Sequence, residues 1–450
     1  MQQEEETQQK LTLKKHGLQQ SIKEGTAASL SGGFGSSYIT PFALALNSNS
    51  FHIGMISSFS ELASPLAQLW GSRLMEHHTR KKIVMTFVFL EALMWIPIMS
   101  LAYLFWKGIF PEYLPYALIG FYSLLAIFGG TAVPSWFSWM GDIIPEDKKG
   151  KYFSKRNRIT GTAGVIAALV SAFLLDIFKT KGLALLGFAI LFSLATTFRL
   201  ISFLYFYNQY APRFKLKKGY YFSMTDFLKR FDNFGKFAVY KAVLYFSLMI
   251  AGPFFAVYML QDLQFSYTTF MIVSLSSSAF YLLSTPFAGK FSDKFGNKRL
   301  FHLANFLFVL TPLFWIFLKN PIALIFTTQL VAGIANAALV IGFTNFTYDA
   351  VSQQHRGICT AYTNILVGLG IFLGSLTGGF IIKYLHPSFM HPILFVFLIS
   401  AGLRLLTGFF FLPSIKEEKR VKRLPPLRIN LTHPFRTIHA EVGWFRSIFK

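Results

Sequence analysis

The sequence predicts an all-α polytopic membrane protein of about twelve transmembrane helices, arranged as two pseudo-symmetric six-helix bundles. Three observations carry this. Apolar runs long enough to span a bilayer recur along the chain, positive charge alternates from one gap to the next, and key positions repeat between two halves. Of the 450 residues, 53% are hydrophobic and 14% are charged, against about 25% charged in an ordinary soluble domain.

A spanning helix needs roughly 20 apolar residues to cross about 30 Å of hydrocarbon. Twelve stretches read this way: 26–46, 51–72, 83–106, 114–140, 159–177 and 183–208, then 237–260, 266–288, 300–318, 321–348, 359–383 and 391–413. Residues 1–24 are polar with no apolar h-region, so a cleavable signal peptide is not expected and the first span serves as the insertion signal. The single cysteine, Cys359, leaves no internal disulfide.

The gaps after spans 2, 4, 6, 8 and 10 hold 22 Lys and Arg residues, and the opposite gaps hold five: Lys107, Lys179, Lys181, Lys319 and Lys383. Positive residues stay on the cytoplasmic side, so both termini are expected there, in a cell membrane. The net charge of +23 is therefore read as topology, and no nucleic-acid partner is expected. The 53 Phe residues have two readings: lipid-facing and packing bulk, or an aromatic-lined pathway.

Asp142, Lys149, Gly150, Asn157 and Gly161 recur 207 positions later as Asp349, Arg356, Gly357, Asn364 and Gly368. Pro41-Phe42 in span 1 echoes Pro253-Phe254 in span 7, and Arg199 in span 6 echoes Arg404 in span 12. Order and depth agree, which indicates a duplicated unit. The expected organisation is a cytoplasmic N-terminus (1–25), a first bundle (26–208), a connector (209–236), a second bundle (237–413) and a basic cytoplasmic tail (414–450). The tail is read either as lying on anionic lipid or as solvated.

After span 8 the chain reads Gly289-Lys-Phe-Ser-Asp293-Lys-Phe-Gly296-Asn-Lys298-Arg299. This resembles the signature loop of the major facilitator superfamily, and the resemblance covers nearly the whole chain. The segment 142–158 looks like the matching loop of a poorly characterised prokaryotic branch. In the loop, Gly289 permits close helix approach, Asp293 accepts hydrogen bonds from a neighbouring helix end, Gly296 allows a tight turn, and Lys298 and Arg299 anchor at head groups. The first-half copy keeps Gly71, Arg80 and Lys81 but has Met75 where the acid stands, with Glu76 one residue later. Asp142 with Lys149-Gly150, and Asp349 with Arg356-Gly357, read as gating elements in which acid and base, seven apart, pair in one state and part in the other. The competing reading is a plain helix cap.

Ionisable groups inside spans are costly and point to function. Glu61 lies about 16 Å from the cytoplasmic end of span 2 at 1.5 Å per residue, a place that suits proton coupling or a cationic substrate or, alternatively, a packing hydrogen bond. Glu91 and Arg199 both lie about 12–14 Å deep and are expected to form a structural ion pair. Arg404 has no acid at its depth and is expected to bond backbone carbonyls. In the family, spans 1, 4, 7 and 10 line the cavity, which makes Tyr38, Trp136, Tyr245, Gln329 and Asn336 substrate candidates.

The resemblance implies a secondary active transporter of a small solute, working as a monomer by alternating access, with proton coupling as a further expectation. The alternative is a receptor or scaffold on the same fold that transports nothing. No phosphate-binding loop, metal motif or catalytic constellation is present in the sequence, so neither enzyme activity nor a cofactor is expected. The Gly-Pro signature of drug–proton antiporters is also missing.

Overall fold

The computed structural model describes residues 2–145, 149–212, 224, 227, 229, 232–352, 355–419 and 421, with side chains from Thr12 onward. Most of the expected connector and of the basic tail lies outside the described residues. All regular structure among the described residues is helical. In chain order the helices are α1 (Gln2–Phe34), α2 (Ile39–Ala45), α3 (Ser50–Leu74), α4 (Arg80–Trp106), α5 (Leu114–Ile143), α6 (Lys149–Thr180) and α7 (Ala184–Tyr207). They continue as α8 (Asn233–Met249), α9 (Phe254–Val257), α10 (Tyr267–Phe295), α11 (Asn297–Phe317), α12 (Pro321–Leu324), α13 (Leu330–Ala350), α14 (Arg356–Tyr384) and α15 (Pro392–Phe411).

Ten of the described helical stretches are long and apolar enough to cross a membrane. The first two expected spans are not among them, and the reason is local. Span 1 is split: α1 stops at Phe34, a 3₁₀ turn covers Ser36–Tyr38, and α2 follows. Span 2, as α3, breaks its apolar run with Ser57, Ser58, Ser60, Glu61 and Ser64, of which Ser58 and Ser60 are buried. A helix polar on its protein-facing side loses hydropathy without leaving the bilayer.

Spans 7 and 10 are also irregular. Span 7 breaks at Ile250–Pro253, where Pro253 has no N–H to continue the ladder, and ends in a π-helical turn, Tyr258–Asp262. Span 10 carries a π-helical turn at Ile325–Gln329. Such turns recur at functional sites because they re-aim side chains.

The chain forms two compact units. The larger comprises Met1–Gly219, Met249–Ile272 and Asn364–Val396, and the second comprises Tyr220–Leu248, Val273–Thr363 and Phe397–Lys450. In the larger unit α5 packs on α3 and α4, and α7 on α1 and α4. Glycine permits the closest approaches: a Cβ on Gly33 of α1 would lie 2.6 Å from the Gly164 carbonyl of α6, and Gly71 of α3 has no room for one against Thr131 of α5. Gly71 is thus a packing residue. Among the described residues nothing lies within 4 Å of a Cβ built on Gly289, which was expected to serve close approach.

Aromatic packing fills the second unit, where the rings of Phe237, Phe301, Phe343 and Phe346 lie 4.6–5.7 Å apart. Other Phe side chains are on the outside, among them Phe173, Phe306 and Phe317, as a lipid-facing surface allows.

Gly33→Val is expected to lower the thermal unfolding midpoint by several degrees, the consequence of overpacking by about 1–3 kcal/mol. Gly32→Val, where a Cβ meets nothing within 4 Å, is expected to leave it nearly unchanged; differential scanning fluorimetry of the two proteins checks this.

Candidate functional site

Polar groups within the hydrocarbon must find partners inside the protein, so the interior charges locate the site. In the larger unit, α4 carries Glu91 and α7 carries Arg199, and the two side chains form a salt bridge with only 16% and 14% exposure. A second guanidinium nitrogen of Arg199 reaches Ser202 Oγ at 3.5 Å. Gly129 of α5 faces this pair: a Cβ there would sit 3.4 Å from the Glu91 carboxyl. Equal depth on neighbouring helices is what brings them together.

A second buried pair lies on α1 and α6. Arg156 Nη2 bonds Glu24 Oε1 at 2.8 Å, with the Glu24 side chain 3% exposed. The same carboxylate oxygen accepts from Trp136 Nε1 at 3.3 Å and from Ser21 Oγ at 3.5 Å. Arg156 Nε donates to the Ser21 carbonyl, and the guanidinium lies 4.6 Å from the Trp136 ring. Gly25 supplies the space, since any Cβ there would collide with Arg156. Arg199 is also within electrostatic range of Glu24. Two carboxylates and two guanidinium groups thus form a charge-balanced set inside one bundle of helices.

Sequence reasoning missed Glu24 and assigned it to the cytoplasmic N-terminus. Because α1 runs without a break from Gln2 to Phe34, Glu24 is inside the packed helix. A signal was present: Gly17, Ser21, Glu24, Ala27 and Ser31 share one face at helical spacing, and all five are buried.

Glu61 differs from these acids. It lies in the middle of α3, its side chain is exposed, and among the described residues it has no salt-bridge partner. Its neighbour within electrostatic range is Tyr122 of α5, which is hydrogen-bonded to Ser36. Trp136 is half-buried and engaged by the Glu24–Arg156 pair. Tyr38, expected as a substrate candidate, is fully buried here, and its hydroxyl donates to the Ala168 carbonyl of α6, which braces the two helices. In the second unit Tyr245 and Gln329 are half-buried, and Asn336 spends its amide on the Ala332 carbonyl of its own helix at 2.9 Å.

Arg404 is 2% exposed and donates to the carbonyls of Phe308 at 2.7 Å and Leu248 at 3.2 Å. The symmetric arginines therefore solve burial differently, one with a carboxylate and one with backbone.

The gating loops also differ from expectation. Asp142 pairs with Arg80 of α4 at 2.7 Å instead of with Lys149. Arg80 is buried, bonding the Ser138 carbonyl and hydroxyl and the Pro212 carbonyl, and is not a head-group anchor. Asp349 accepts from Asn297 Nδ2 of α11 at 2.9 Å and pairs with Lys419 at 3.3 Å. Its expected partner, Arg356, instead donates to the Val351 and Tyr348 carbonyls and stacks over Tyr348. In each copy the acid holds the first turn of the helix that begins beside it, through Arg80 in one and Asn297 in the other.

Gly296 has φ +92°, and a Cβ there would collide with the Glu417 carboxylate. That carboxylate caps α11 through Lys298 N at 2.8 Å. Asp293 is exposed; the hydrogen bonds expected of it run through Ser292, which donates to Asn297 at 2.5 Å and accepts from Asn345 at 2.8 Å. Lys298 Nζ reaches the Pro413 carbonyl, Arg299 bonds the Phe295 carbonyl, and Gly150 has nothing within 4 Å of a Cβ.

One more residue escaped the sequence reading. Asp176 of α6 accepts the backbone N–H groups of Tyr267 at 2.8 Å and Thr268 at 2.9 Å, capping α10. Ser58 of α3 donates to the Phe372 carbonyl of α14 at 2.9 Å.

Removing Arg156 alone would leave Glu24 buried and uncompensated, at a cost of about 3–5 kcal/mol. Arg156→Ala is therefore expected to unfold at a clearly lower temperature than the double variant Glu24→Gln/Arg156→Met; thermal denaturation of both in detergent checks the order.

Comparison with known proteins places this architecture. The family model of the Major Facilitator Superfamily matches residues 26–220 and 237–449. Solved structures similar to the chain include a D323A mutant of the nucleoside transporter NupG (TM-score 0.67, 16% identity, 89% of this chain and 100% of that one). A bacterial homologue of the iron transporter ferroportin in an inward-facing state has a TM-score of 0.67 at 13% identity, over 91% of this chain and 99% of its own. A D-xylose–proton symporter has 0.66 at 15%, over 91% and 99%. A search of curated protein sequences finds no match.

Proposed function

Because the chain belongs to the Major Facilitator Superfamily, we propose that it is a secondary active transporter that moves a small solute across the cell membrane by alternating access. It is a multi-pass membrane transporter; the finer reading has both termini in the cytoplasm, a monomer as the working unit, and the two repeats as six-helix halves. The neighbours carry nucleoside, iron and D-xylose names, and at 13–16% identity they lend a fold and no substrate.

The observation that carries the reading is the contrast among the interior acids. Glu24 and Glu91 are each neutralised by a guanidinium, whereas Glu61 is exposed at mid-span and has no such partner among the described residues. An ionised group facing lipid there would be costly, so its exposed face serves water, and proton coupling falls to Glu61. The buried pairs keep the first repeat rigid while it moves. Asp176 supports the alternation: its cap on α10 joins span 5 of the first repeat to span 8 of the second, and alternation has to release it.

The competing reading, a receptor that binds without transporting, is separated by flux. A thermal-shift screen of metabolites, ions and drugs identifies a ligand, and reconstituted vesicles then measure its uptake with and without a pH gradient. Uptake is expected, and a ligand that binds but never moves would favour the receptor. Glu61→Gln is expected to abolish the pH-driven component while leaving equilibrium exchange, and pH-driven uptake unchanged in that variant would remove Glu61 from the coupling role. Asp176→Asn is expected to lower the hydrogen-exchange protection of the Tyr267 and Thr268 amides by about tenfold or more, the loss of a charge-assisted cap, measured by mass spectrometry.

A further inference from the structure

We propose that a groove between the first three turns of α4 and the last turns of α7 binds one anionic phospholipid of the adjacent leaflet. The groove has a volume of about 590 Å³, and its lining includes Lys81, Lys82, Thr86, Phe89, Phe203 and Tyr207. Its two ends differ in chemistry. The lysines stand at the start of α4, where Lys82 is exposed; farther along, the walls are aromatic and aliphatic.

The length of the groove matches one leaflet. From Thr79 to Leu90 the helix rises about 16 Å at 1.5 Å per residue, and half of a 30 Å hydrocarbon core is about 15 Å. A groove of this length, open at the outer surface of a membrane protein and lined with Phe89 at 40% and Tyr207 at 66% exposure, fits an acyl chain running from the head-group level to the midplane.

The rim selects the charge. Lys81 Nζ is held in place by the carbonyls of Tyr207 at 2.7 Å and Gln209 at 3.1 Å, and it lies 5.8 Å from the Tyr207 ring. This both caps the C-terminal end of α7 and fixes an ammonium group beside the groove. Lys82 adds a second. Among the described residues no carboxylate lines the groove, so the rim presents two ammonium groups, and a head group with net negative charge is the complement. The far end adjoins the interior pair: Leu90 precedes Glu91, and Phe203 lies one turn from Arg199. The lipid would thus cover the α4–α7 seam beside the Glu91–Arg199 salt bridge.

Native mass spectrometry of the full-length protein with equal amounts of phosphatidylglycerol or phosphatidylcholine tests this, and its readout does not depend on transport. The wild type is expected to retain one phosphatidylglycerol at least fivefold more strongly than phosphatidylcholine. The double variant Lys81→Ala/Lys82→Ala is expected to lose that preference. Thr86→Trp, which fills the groove and keeps both lysines, is expected to lose retention of both lipids and serves if the lysine variant does not fold. Equal retention of the two lipids by the wild type would overturn the proposal, as would phosphatidylglycerol retention unchanged in Thr86→Trp. Displacement of the lipid by millimolar inorganic phosphate would also overturn it, by assigning the rim to a free anion.

Discussion

A charged side chain buried among helices has to be matched within the protein, and this constraint organises the molecule. Glu24 finds Arg156, Glu91 finds Arg199, and Arg404, with no acid within reach among the described residues, turns to two backbone carbonyls. Each solution needs two or three helices at a defined rotation and depth. The pairs therefore position α1, α4, α6 and α7 as firmly as the glycine contacts do. In water these groups would be replaceable; here the cost of stranding one is what keeps the helices in register.

The same constraint explains how a duplicated sequence diverged while its architecture persisted. Asp142 and Asp349 keep one job, holding the start of the neighbouring helix, through a guanidinium in one copy and an amide in the other. The loop before α11 has its turn glycine in a left-handed conformation and takes its cap from Glu417, a residue far away in the chain. The first copy, which has lost the loop acid, is held by the buried Arg80, bonded to Asp142, Ser138 and Pro212. Different side chains meet the same backbone requirement because helix ends expose the same unsatisfied groups.

Departures from regular helix are spread along the chain. Spans 1 and 7 are broken, spans 7 and 10 carry π-helical turns, and prolines sit inside spans 2, 3, 4, 8 and 9. Regular helices are the cheapest way to satisfy a backbone in lipid, so departures persist only where protein or water covers them.

The sequence by itself determined the all-helical polytopic class and the family, because hydrophobic length, charge alternation and motif spacing are one-dimensional properties. It also made the Glu91–Arg199 pair legible, because depth along a helix is a simple count of residues. Only the tertiary structure decided the partners of Asp142, Asp349 and Arg80, the burial of Tyr38, the open space at Gly289 among the described residues, and the roles of Glu24 and Asp176. Those depend on which helices abut and how each is rotated about its axis. A one-residue change of phase turns a side chain by about 100°, which is enough to exchange a lipid-facing position for a buried ion pair.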